Sequence, residues 1–166
     1  MTPAGRPRHL FSKPVGEVGW LNREYVPHIA AYARAVLGQG YDPTRSSFFR
    51  YRKYSRDLIT KRAGAGYETD AEFYGSDGSI DLHVEAKASG QQTDTLAHQV
   101  REHGELSDMP LAAAKEIEYV LDLAPRYLWI LGPGSVDPPR HVFKADVEGN
   151  KATFRAVDEL PGPPNG

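Results

Sequence analysis

The 166-residue chain predicts an α/β fold, a mixed central β-sheet flanked by helices. Three observations carry that prediction. Two apolar-alternating runs surround a Ser-Asp-Gly-Ser turn within GYETDAEFYGSDGSIDLHVEAKAS, residues 66–89. Tyr127–Leu131 is a short, wholly apolar run, the pattern of a strand buried on both faces. Between them lie segments with helical spacing, so the strands are joined by a helical crossover.

Each element has its own warrant. Residues 1–15 are rich in Pro, Gly and Arg and read as a loose arm; 16–160 read as one domain and 161–166 as a disordered tail. From Glu17 to Leu37, apolar residues at Val18, Leu21, Tyr25, Ile29, Tyr32 and Val36 form one helical stripe, stopped by Gly38 and Gly40. Pro27 demands a kink or a helix that begins near it. Residues 41–62 fit either a helix or a strand with a basic loop. Asp94 is a candidate cap for a short helix ending before Gly104, and Asp108 with Pro110 for a longer one striped by Leu111, Ala114, Ile117, Leu121 and Ala124. His141–Val147 and Ala152–Val157, split by Gly149-Asn150, predict a second hairpin.

Composition narrows the chemistry. The chain has no cysteine, which excludes disulfides, thiolate zinc sites and a cysteine nucleophile, and fits a reducing cytoplasm. The N-terminal residues do not form a secretory signal, and no apolar run approaches the roughly 20 residues of a membrane helix. Net charge is only −2, yet its distribution is uneven. Arg45, Arg50, Arg52, Lys53, Arg56, Lys61 and Arg62 stand against the single acid Asp57, with Phe48, Phe49, Tyr51 and Tyr54 interleaved. Basic and aromatic residues together suit phosphate neutralisation and base stacking. An amphipathic segment that packs its aromatics inward has the same composition.

The first hairpin concentrates the acids. With Asp77-Gly78 as a two-residue turn, Tyr74 faces Asp81, Glu72 faces His83, Asp70 faces Glu85 and Glu68 faces Lys87. One side then carries Glu68, Asp70, Glu72, Asp81, His83, Glu85 and Lys87; the other carries Ala71, Phe73, Ile80, Leu82, Val84 and Ala86. Asp70 opposite Glu85 sets two carboxylates roughly 5 Å apart at Cβ, a destabilising pair on a merely wet face. A divalent cation with oxygen ligands reverses the sign of that interaction. Asp81 lies about 13 Å along the strand from Glu85, too far to chelate with it. His83 has no second histidine at ligand spacing, so it reads as a neighbour of the metal site rather than a zinc ligand.

Asp70, a gap, then Glu85-Ala86-Lys87 ending an apolar strand resembles the motif of the PD-(D/E)xK, or restriction-endonuclease-like, nuclease superfamily. The order helix, strand, strand, helix, strand over about residues 17–132 is similar too, and Glu-Ala-Lys-Ala-Ser resembles the E-x-K-x-S form. Thr69 stands where a proline is often found. The resemblance implies an αβββαβ core, here with a C-terminal β-hairpin, and magnesium or manganese held by Asp70, Glu85 and the Ala86 carbonyl. It implies that Lys87 positions the attacking water, with Glu24 from the first helix as a further acid and Gln99 touching substrate. The expected activity is metal-dependent hydrolysis of DNA, with the Arg45–Arg62 segment holding the backbone. Two rival readings are a noncatalytic nucleic-acid-binding module and an RNA or tRNA nuclease. A homodimer would suit cleavage of both strands.

Overall fold

The computed structural model describes residues 25–58, 61, 63–102 and 111–164. Six strands form one mixed sheet in the order β1-β2-β3-β4-β5-β6: Ser46–Lys53, Gly66–Tyr74, Ile80–Ala86, Tyr127–Leu131, Val142–Glu148 and Lys151–Val157. Only β3 and β4 run parallel; every other neighbour pair is antiparallel. Helices α2 (Gly90–Glu102) and α3 (Leu111–Leu123) form the crossover that parallel pairing requires. Helix α1 (Tyr25–Ala33) precedes the sheet and runs on as a π-turn, Arg34–Gly38.

Three layers result. Ala31, Ala35 and Tyr41 pack with Phe73, Leu82, Val84, Trp129 and Leu131 on one face of the sheet. Leu96, Val100, Ile117 and Val120 of α2 and α3 pack with Leu128, Ile130 and Phe143 on the other. The uninterrupted apolar run of β4 therefore serves both faces, with Leu128 and Ile130 turned one way, Trp129 and Leu131 the other. Among the described residues no helix is long and apolar enough to cross a membrane.

Several boundaries differ from expectation for identifiable reasons. Pro27 lies in the first turn of α1, where its missing N–H costs nothing. The ambiguous basic segment is β1, an edge strand preceded by a short 3₁₀ turn, Pro43–Arg45, which Asp42 caps through the Thr44 N–H. Its apolar alternation is unreadable because Phe49 sits at φ 49°, a conformation rare for a bulky residue. The first hairpin closes through five residues rather than two. Gly75 and Ser79 pair, and Asp77 Oδ1 accepts from the Ser79 N–H and hydroxyl. That Asx turn shifts the register, so Tyr74 faces Ile80 instead of Asp81. Farther along, Ala71, Glu72 and Phe73 face Val84, His83 and Leu82, the register the alternation predicted.

Helix α2 starts at Gly90, earlier than predicted, with Ser89 Oγ accepting from the Gln92 N–H. Asp94 is inside it and bonds His141. The predicted cap at Asp108 with Pro110 lies outside the described residues. Gly149-Asn150 forms the expected two-residue turn, with Glu148 opposite Lys151. Residues 161–164, expected in a loose tail, follow the buried Leu160 back to the sheet, and Pro164 reaches Gly75.

Asp81 is fully buried, accepting a 2.6 Å hydrogen bond from Tyr41 and pairing with Arg126 at 2.9 Å. Removing one donor from a buried carboxylate costs about 1–3 kcal/mol. Tyr41→Phe should lower unfolding stability in urea by that amount, and an unchanged midpoint would contradict this role for the pair.

Candidate metal centre

The charged side of the first hairpin is largely buried, with Glu68 left exposed. Glu72, Asp81 and His83 are fully buried and Glu85 is 6% exposed; α3 brings Glu116, itself 2% exposed, to His83 and Glu85, while Tyr41 and Arg126 meet Asp81. Burial of this many ionisable groups needs a specific compensation for each.

Glu72 has one. Arg52 approaches it through Nε and Nη2 at 2.7 and 2.6 Å, and Thr69 Oγ1 donates at 2.8 Å. Burial alone would raise its carboxyl, but hydrogen bonds from Arg52, Tyr74 and Thr69 hold it below the ordinary range. The Thr69–Glu72 bond joins residues three apart, which unbroken alternation would place on opposite faces. Packing tells the same story: Tyr67 belongs to the α2–α3 side, Ala71 and Phe73 to the α1 side. The strand is irregular at Thr69–Asp70, across from the positive-φ Phe49.

That irregularity sets Asp70 apart from its predicted place on one continuous acidic face. Its Oδ2 accepts from the Ala86 N–H at 2.7 Å and lies 3.2 Å from His28 Nε2 on α1. The His28 ring packs edge-on against Phe49 at 4.9 Å. Burial would raise the Asp70 carboxyl, but His28, the Ala86 amide and the charge of Lys87 outweigh it and lower it.

Glu85 lies beyond, near the carboxyl end of β3. Lys87 Nζ bonds its Oε1. Burial, then the charges of Glu116 and Asp70, push the Glu85 carboxyl up to about 8, and Lys87 offsets this only in part. Burial would lower Lys87, but Glu85, Glu116 and Asp70 together raise it, so it sits amid three carboxylates. Tyr119 on α3 is raised by burial first and then by the same three acids. The side chains of Asp70 and Lys87 are each 24% exposed, so the group reaches solvent through them.

Glu116 was not legible as a site residue, although Ala113 and Val120, at helical spacing on either side of it, are fully buried. It meets His83 Nε2 at 3.1 Å. Burial lowers the His83 imidazole, and the hydrogen bond and charge of Glu116, with Glu85 and Glu72, more than reverse that. One donor atom from each of His83, Glu85 and Glu116 lies within 4.8 Å of the others. The imidazole of His83 with the carboxylates of Glu85 and Glu116 is a donor set that fits a divalent cation.

The remaining predicted residues scatter. Glu24 and Arg62 lie outside the described residues. Arg52 is engaged by Glu72, and Arg56 donates to the Leu121 carbonyl at 2.7 Å, so both are tied into the fold. Arg45, Arg50, Lys53 and Lys61 are exposed, and Arg50 donates to Tyr74 at 2.6 Å. Gln99 is half-buried on α2. Of the interleaved aromatics, Phe48 and Tyr54 pack inward, as the amphipathic reading required, while Tyr51 is 55% exposed. No family model, curated protein or solved structure matches the chain.

The titration of Glu85 has a sign that stability measurements can read. Its ordinary carboxyl value is 4.5, against about 8 when folded. Between those values the native state holds a proton that the unfolded chain has released, so stability falls as pH rises through the window. The raised His83 acts in the same sense above 6.5, while the lowered Asp70 acts below 3.8. Urea midpoints of metal-free protein should therefore fall from pH 5 to 8, and Glu85→Gln should flatten part of that fall. An unchanged slope in the variant would contradict a protonated Glu85.

Proposed function

We propose that the chain is a metal-dependent nuclease hydrolysing phosphodiester bonds of DNA. One observation carries this reading above the others: Asp70, Glu85 and Glu116 surround Lys87 at the end of β3, with negative charge in excess and an opening to solvent. Asp70 and Glu85, with the Ala86 carbonyl, are the residues that would hold magnesium or manganese. Such an ion lowers the pKa of a bound water and neutralises charge developing on the phosphate.

The protein's own groups have distinct tasks in this scheme. His28 and the Ala86 amide fix Asp70 through Oδ2, leaving Oδ1 outside both contacts. Lys87, held by Glu85, positions the attacking water beside the scissile phosphate. Arg45, Arg50, Lys53 and Lys61 grip the nucleic-acid backbone without reading sequence. The order of one helix, three antiparallel strands, a helical crossover and a parallel strand agrees with the restriction-endonuclease-like core and supports the reading.

Asp70→Asn, Glu85→Gln and Lys87→Ala should each reduce magnesium-dependent cleavage of labelled DNA by about 100-fold or more. Circular dichroism checks that each variant is folded. Undiminished cleavage by all three would contradict the assignment, and cleavage confined to an RNA substrate in the same panel would replace DNA as the substrate.

A further inference from the structure

We propose that His83, Glu85 and Glu116 form a second cation site, one that prefers a first-row transition-metal ion such as manganese or zinc to magnesium. The ligands come from two rigid elements. His83 and Glu85 are two residues apart on β3 and share a face; Glu116 faces them from α3. All three are buried, so none has water as an alternative partner in bulk.

A hydrogen-bonded His83–Glu116 pair alone does not satisfy this cluster. His83 Nδ1 is buried with no hydrogen-bond partner, whatever the tautomer at Nε2. A third carboxylate, Glu85, stands within 4.8 Å of the pair and shares its one lysine with Asp70 and Glu116. Buried carboxylates crowded this closely are costly unless a cation balances them. One cation drawing on the imidazole and both carboxylates relieves the crowding of buried acids. Ligand atoms around zinc stand roughly 3–3.5 Å apart, given bonds of about 2.0–2.2 Å, so a group already within 4.8 Å closes by side-chain movement alone.

Ligand type sets the ion. Imidazole favours manganese-to-zinc transition metals over magnesium, whereas carboxylates accept either. Three protein ligands leave a position for water. Glu85 is then shared between this site and the Asp70 side, each using one of its oxygens. Binding here stands apart from hydrolysis; any catalytic use of the ion rests on the nuclease reading.

The test is manganese titration of the whole chain followed by electron paramagnetic resonance, with thermal melts confirming folding. Wild type should bind two ions. His83→Ala and Glu116→Gln should each lose one, weakening it at least tenfold, while Asp70→Asn keeps that ion and loses cleavage. Equal manganese stoichiometry and affinity in wild type and both variants would overturn the site. Anomalous diffraction from manganese-soaked wild-type crystals decides the matter without variants: a peak between His83 and Glu116 supports it, and none overturns it. Retained His83-dependent binding in a protein that cleaves nothing would sink the nuclease reading and leave this site standing.

Discussion

The arrangement depends on one electrostatic constraint, the crowding of carboxylates from β2, β3 and α3 around Lys87. Asp70, Glu85 and Glu116 act on Lys87 together, while His28 meets Asp70 and His83 meets Glu116. An excess of buried like charge is unstable unless protons or a cation balance it. In the metal-free protein the balance falls to Glu85, whose carboxyl is pushed up to about 8. The other acids on this hairpin escape the problem through dedicated partners: Arg52 for Glu72, Arg126 and Tyr41 for Asp81.

Much of the rest follows from supporting that cluster. The helical crossover needed by the parallel β3–β4 pair is what lays α3 across the charged face. Irregular backbone at Thr69–Asp70, opposite the positive-φ Phe49, lets Asp70 turn to His28 and the Ala86 amide while Thr69 still reaches Glu72. Strain of this kind at a bulky residue is expected where surrounding structure over-determines it. Gly132, at the end of β4, has a related task. A Cβ there would stand 2.1 Å from Thr93 Oγ1, so the absent side chain lets the start of α2 close against the strand ends beside Lys87.

Local periodicity made part of this legible in advance. The Tyr127–Leu131 strand, the Gly149-Asn150 hairpin and the Glu72–His83 register depend on patterns spanning a few residues, and all three appear. The acid-acid-lysine set was legible as residues but not as geometry. Regular alternation placed Asp70 on a flat acidic face, whereas a one-residue irregularity redirected it, and nothing in Tyr67–Phe73 announces that break. Glu116 was hidden for another reason. A glutamate that follows a lysine on a helix, as Glu116 follows Lys115, looks solvent-facing until the layer beneath is known. Arg52 and Arg56 matched a phosphate-binding composition, yet long-range partners absorb both.

In the proposed metal-bound state a divalent cation replaces a proton on the buried carboxylates. Calorimetric titration of manganese into the protein at pH 7, repeated in two buffers of different ionisation enthalpy, tests it most directly. Displacement of the Glu85 proton predicts binding with release of roughly one proton, seen as a buffer-dependent heat. Absence of binding, or identical heats in both buffers, would contradict this exchange of proton for cation.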